Sequence, residues 1–266
     1  MRFSFITTRL LFLPLVGSAL FGCSSVPETD RSQFLLINRG QEAELGLTEF
    51  QKIKKSVPIS NDAQINEMIK RVGQRIANVA DLPGAQWEFV VFDKSDTANA
   101  FCLPGGKVGV FTGILPITKD EAGLATVLGH EIAHAVARHG AERVSQGLLL
   151  ELGGQVLAQA MQTQGAKTQQ LISAAYGVGG QVGVLLPYSR KQELEADHLG
   201  LLYMARAGYD PQQSVEFWKR FSSYNQEKQA GSPPEFLRTH PLDEKRIEQL
   251  QALLPKANEE YKAAKK

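Results

Sequence analysis

His130-Glu131-Ile132-Ala133-His134 is the stretch on which the reading of this chain turns. At 100° per residue around a helix, His134 falls about 40° and Glu131 about 100° from His130, so all three share one face. Two imidazoles one turn apart can reach a single Zn²⁺ at about 2.0–2.1 Å, which leaves the intervening carboxylate beside the attacking water rather than on the metal. Thr118-Lys119-Asp120-Glu121 matches a capping box and predicts that the helix carrying this pattern runs from about Thr118 to Ser145.

A catalytic zinc takes three protein ligands and keeps one position open. The other histidines are His139, His198 and His240. His139 lies about 180° from His130 on the predicted helix and is expected to point away from the metal. Glu193-Leu194-Glu195-Ala196-Asp197 is the better source. Glu193 and Asp197 stand one turn apart, whereas Glu195 lies about 160° from the centre of their face. One of the pair can bind the metal while the other orients a ligand. Their helix is expected to start at Ser189-Arg190-Lys191-Gln192 and to stop at Gly208, ahead of Pro211.

Apolar spacing predicts further helices over Glu42 to Lys54, Asp62 to Val79, Pro211 to Tyr224 and Asp243 to Leu254. Aromatic and β-branched runs predict strands over Trp87 to Phe92, Ala98 to Leu103 and Lys107 to Thr112, the last two flanking Pro104-Gly105-Gly106. The fold class is therefore α+β, mainly helical, with a small three-stranded sheet. Its 266 residues, 43% hydrophobic and 21% charged, suit one globular domain and exclude disorder and a polytopic membrane protein. Lysine plus arginine number 29 against 28 acids, with no basic stripe, so no nucleic-acid partner is expected.

Arg2 and Arg9 precede an uncharged run, Leu10 to Gly22, of the length of a secretory signal, so residues 1–22 read as a signal peptide. Leu20-Phe21-Gly22-Cys23-Ser24 resembles a bacterial lipobox, with Phe21 departing from the small residue usual there. It predicts Cys23 as the lipidated first residue, residues 23–40 as anchor and tether, and residues 41–266 as the catalytic domain. Ser24, rather than an acid, resembles the signal for passage to the outer membrane. With Cys23 lipidated, Cys102 has no partner within the chain and reads as a small buried strand residue.

The motifs together resemble peptidase family 48, the gluzincin metallopeptidases of the HtpX and CAAX prenyl protease type. The resemblance runs from Glu42-Ala43-Glu44-Leu45-Gly46-Leu47 through Asn99-Ala100-Phe101-Cys102-Leu103-Pro104-Gly105-Gly106 and the HExxH helix to Glu193–Asp197 and Thr239-His240-Pro241. It is strongest toward lipoprotein members of the bacterial envelope. It implies a zincin-like minigluzincin domain with one Zn²⁺ per chain, held by His130, His134 and Glu193, with Glu131 as general base and Asp197 hydrogen-bonded to a ligand histidine. His240, with Arg246 six residues on, matches an element that returns over the site. There it can donate to the oxyanion or occupy the metal's open position.

The strand from Ala98 corresponds to the family's strand beside the cleft. Asn99 and Ala100 are candidates for main-chain contact with an extended substrate. Residues 144–188, poor in charge and rich in glycine, glutamine and alanine, are expected as a helical lid rather than a membrane span. The implied reaction is hydrolysis of internal peptide bonds in unfolded or misassembled envelope polypeptides. A chaperone-like zinc protein with little proteolysis is the alternative.

Overall fold

A computed structural model describes residues 23–148, 189–227, 233–242 and 244–265. The signal peptide and nearly all of the expected lid lie outside them. Strands β1 (Cys23–Ser25) and β2 (Ser32–Phe34) form an antiparallel hairpin ahead of helices α1 (Arg39–Ser56) and α2 (Ala63–Ala77). Strands β3 (Glu88–Phe92), β4 (Ala100–Leu103) and β5 (Lys107–Phe111) make a mixed sheet in the order β3-β5-β4, with β3 parallel and β4 antiparallel to β5. Helices α3 (Leu115–Thr118), α4 (Glu121–Val136), α5 (Arg190–Arg206), α6 (Gln212–Glu227), α7 (Glu235–Thr239) and α8 (Glu244–Ala264) follow, with residues 139–148 also helical.

Alternation along the strands sorts their side chains into two layers. Val91, Ala100, Cys102, Val108 and Val110 join the larger core with α2 and α4. Phe92, Phe101, Leu103 and Phe111 face the other way and close on Phe50 and Ile53 of α1. The α+β class and the three-stranded sheet are thus as the sequence predicts.

Helix α4 is buried at every position from Gly123 to Val136, because α2, α5, α6 and β4 surround it. Its closest neighbour is α5, and the two backbones meet where Gly129 faces Gly200. A Cβ on Gly129 would stand 2.8 Å from the Gly200 carbonyl oxygen, and one on Gly200 would stand 2.7 Å from the His130 nitrogen. Only hydrogen side chains permit this crossing, which lays Glu193 and Asp197 over the HExxH face.

At three of the helix ends that differ from expectation the structure shows the cause. Thr118 closes α3 instead of opening α4: its hydroxyl donates to the Leu115 carbonyl, Lys119 adopts a left-handed φ of 70°, and Asp120 becomes the cap, accepting from the Gly123 N–H. Helix α4 ends at Val136 rather than near Ser145, because Arg138 takes a left-handed φ of 57°. That conformation costs roughly 1–2 kcal/mol in a residue with a Cβ. It is offset by the buried Arg138 guanidinium, which donates to Glu42 Oε1 at 2.8 Å and to the Ile37 carbonyl at 2.8 Å. Helix α8 runs through Pro255 to Ala264 instead of stopping at Leu254. Ala257 beyond the proline is fully buried, Tyr261 packs on the core, and Glu260 pairs with Arg206 at 3.0 Å.

The stretch expected as a tether is folded onto the domain. Val26 is fully buried, and Arg31 inserts between Glu142 and Glu195 at 2.9 and 2.6 Å. No helix among the described residues is long and apolar enough to cross a membrane.

Candidate metal centre

His130, His134, Glu193 and His240 each present one ligand atom, all within 4.8 Å of one another and all buried. The Nε2 atoms of His130 and His134 lie 3.1 Å apart, and His240 Nδ1 lies 3.2 Å from His130 Nε2 and 3.0 Å from Glu193 Oε1. Glu193 closes the figure, with Oε2 at 3.4 Å from His130 Nε2 and Oε1 at 3.4 Å from His134 Nε2. Tetrahedral ligands at about 2.0–2.1 Å from a zinc stand about 3.3 Å from each other, so the set has the spacing of a zinc shell. Imidazole nitrogens and a carboxylate converging in this way form a donor set that a divalent cation between them would satisfy.

His130 and Glu193 owe their places to outer groups. His130 Nδ1 stands 3.0 Å from Asp197 Oδ1 on the far side of its ring. Asp197 is held by a bidentate Arg246, Nε to Oδ2 at 2.6 Å and Nη2 to Oδ1 at 2.8 Å, and the third guanidinium nitrogen, Nη1, reaches Glu193 Oε2 at 2.8 Å. Arg246 is wholly buried, with its guanidinium 4.0 Å from the centre of the Trp218 ring. Glu131 lies beside the cluster rather than in it: its Oε1 stands 3.3 Å from His240 Nε2 and makes no hydrogen bond among the described residues.

Charge at the site is arranged to accept a cation. Burial works against ionising Glu193, yet His240 and Arg246 hold its carboxyl well below the usual range, and Arg246 likewise lowers Asp197. Burial also disfavours protonation of His130, but hydrogen bonds to Asp197 and Glu193 outweigh it and raise the imidazole to about 9. His130 would have to give up that proton to hold a divalent ion, so metal affinity is expected to fall as pH drops. Burial pushes Glu131 up from the ordinary carboxylate value, toward the range useful to a general base at neutral pH.

The structure therefore brings His130, Glu131, His134, Glu193, Asp197 and His240 together. Asn99 and Ala100 are both buried at the edge of the sheet. Outward-facing main-chain groups at this edge already have partners: the Ala98 carbonyl accepts from the Phe236 N–H at 3.1 Å, and the Ala100 N–H donates to Asn99 Oδ1 at 2.9 Å. Cys102 is buried in β4, and burial lifts its thiol well above the ordinary value, so it is unreactive there.

His139 corrects a geometric expectation. The break at Arg138 takes it off the helix of His130 and turns its ring inward, to 2.8 Å from His134 Nδ1. Glu195, expected on the opposite face from the site, meets His139 Nε2 at 2.9 Å. No local periodicity marks either residue, since the first contact depends on a left-handed turn at Arg138 and the second joins residues 56 apart in sequence.

A buried HExxH helix crossed by a second helix that supplies a carboxylate ligand defines a metallopeptidase site. The Peptidase family M48 model matches residues 63–254. Mitochondrial metalloendopeptidase OMA1 of Saccharomyces cerevisiae is 36% identical over 95% of this chain and 76% of its own length. That of Schizosaccharomyces pombe is 40% identical over 71% of this chain and 53% of its own. Beta-barrel assembly-enhancing protease of Escherichia coli is 27% identical over 91% of this chain and 51% of its own. The chain belongs to peptidase family M48 and carries the metal site of a metalloendopeptidase. It spans about half the length of most of these relatives and three-quarters of the first. The mitochondrial proteins are the more similar of these, so the resemblance expected to be strongest toward bacterial envelope lipoproteins is not specifically supported.

Proposed function

We propose that this protein is a zinc endopeptidase of the bacterial cell envelope that removes misfolded or unassembled polypeptides and rests in a closed state. The observation that carries the reading is the convergent His130, His134 and Glu193 set with Glu131 beside it. One zinc, held by those three residues, would polarise the scissile carbonyl and acidify the attacking water. Glu131 takes the water's proton on a carboxylate oxygen and returns it to the departing amine. Asp197 and Arg246 keep His130 and Glu193 aimed while the charge at the site changes.

Closure is supported by two contacts of one segment. His240 fills the fourth corner of the ligand set, and four residues earlier the Phe236 N–H occupies the Ala98 carbonyl at the sheet edge, where an extended substrate would add as a strand. Substrate entry then requires residues 233–242 to move. This favours a blocking role for His240 over oxyanion donation, and the two roles predict opposite results. His240→Ala should raise kcat/KM for cleavage of unfolded casein roughly tenfold as the blocked position opens. A fall of about 10²–10³, the usual loss of an oxyanion donor, would contradict closure.

The envelope placement rests on the signal-like residues 1–22 and the lipobox-like Cys23, and it is consistent with the E. coli relative being a beta-barrel assembly-enhancing protease. We assign the periplasmic face of the outer membrane. Mass measurement of the N-terminal peptide tests the anchor, an acylated Cys23 agreeing and an unmodified thiol opposing, and recovery in the outer-membrane rather than the inner-membrane fraction tests the placement. A chaperone-like protein of the same compartment with little proteolysis is the second reading, favoured by the same closed geometry.

A further inference from the structure

The two ligand histidines are not supported alike. His130 passes its outer nitrogen directly to Asp197, whereas His134 turns its outer nitrogen to a third imidazole. His134 Nε2 belongs to the ligand set, 3.1 Å from His130 Nε2, so its Nδ1 must carry the ring proton whenever a metal is bound. That Nδ1 lies 2.8 Å from His139 Nδ1, and the rings meet at 73° with centroids 4.9 Å apart. A proton on His134 Nδ1 requires a lone pair on His139 Nδ1, and the His139 proton then sits on Nε2. Nε2 in turn lies 2.9 Å from Glu195 Oε2. Every donor and acceptor along this line has one consistent assignment.

The line ends in the N-terminal segment. Glu195 accepts from Arg31 Nε at 2.6 Å and from the Thr29 hydroxyl, and Arg31 also grips Glu142 through Nη1 at 2.9 Å and Nη2 at 3.0 Å. His139 is fully buried and Glu195 nearly so, so neither is a solvated charge that happens to lie close. We infer that His139 and Glu195 are positioning residues for the metal ligand His134, and that Thr29 and Arg31 make the N-terminal segment part of the metal site. The inference rests on the zinc reading of the cluster. It assigns residues 23–34 a purpose beyond linkage: the segment that follows Cys23 holds the carboxylate that fixes one ligand's tautomer. Displacing that segment loosens the metal.

The test is zinc affinity of the full chain, measured by competition with a chromophoric chelator. His139→Leu, which can neither accept nor donate, should weaken zinc binding about 10–100-fold, the range for losing an outer partner of a ligand histidine. His139→Gln keeps an oxygen to accept and an N–H to donate, and should stay within a few-fold of the unaltered protein. Arg31→Met should weaken binding several-fold from a distance. In the zinc-loaded, ¹⁵N-histidine-labelled protein, His134 should be protonated on Nδ1 and His139 on Nε2. A purely structural role would lower the thermal midpoint of the metal-free Leu and Gln variants alike without separating their zinc affinities, and that result would overturn the relay. So would the opposite tautomer of His139, which decides the matter alone if the Leu variant does not fold. Absence of zinc from the unaltered protein would overturn the site and the relay together.

Discussion

Glu131→Gln is expected to leave the protein folded and fully metal-loaded while cutting cleavage of an unfolded protein at least about 100-fold, the low end of what a general base contributes. The two halves of that expectation have separate causes. Metal retention follows because Glu131 stands outside the ligand set. Loss of rate follows because an amide cannot take a proton from water at neutral pH. Stability should hold or rise slightly: Glu131 is a buried carboxylate whose Oε1 makes no hydrogen bond among the described residues and whose ionisation burial opposes, so the neutral isostere removes a desolvation cost. Thermal melts beside a casein digest measure both. A variant that still cleaves at the native rate would require another base, and one that lost its metal would place Glu131 among the ligands.

Arg246→Met carries the second large effect, on stability. The guanidinium makes two bonds to Asp197 and one contact with Glu193, packs on Trp218 and is fully buried. Removing it leaves two ionised carboxylates out of water with too few partners, which for a broken buried pair costs about 3–5 kcal/mol. For a chain of this size that lowers the thermal midpoint of the metal-free protein by roughly 6–20 °C. Pairing it with Asp197→Leu should cost less than the two changes summed, since the second removes the charge that the first strands. Full additivity would show that the pair does not interact as its geometry implies.

What the chain discloses before folding follows from the range of each interaction. His130, Glu131 and His134, and equally Glu193 and Asp197, sit at helical spacings, so each group's shared face can be read from sequence alone. The Ser189 capping box is another local pattern, and the structure keeps it, with Gln192 donating to Ser189 and its side chain accepting in return. The glycines that let α4 and α5 cross carry no signal by themselves, because Gly129 has meaning only against Gly200. Arg138 reads as an ordinary helical residue until Glu42 and Ile37 are seen to hold its guanidinium and so stabilise a left-handed turn. From that turn follows the position of His139, which helical spacing puts on the wrong side. Pro255 likewise ends a helix by local rules, yet burial of Ala257 carries α8 past it. Arg246 has the look of a solvated charge in sequence, and only family resemblance places it near the site, because its bidentate partner Asp197 lies 49 residues back along the chain.

The account turns on one buried metal bridging α4 and α5, and metal analysis of the purified full chain tests this most directly. One zinc per chain is expected, removed by a chelator together with casein cleavage and restored with it on adding zinc back. Cleavage that persists undiminished in the zinc-free protein would contradict the account.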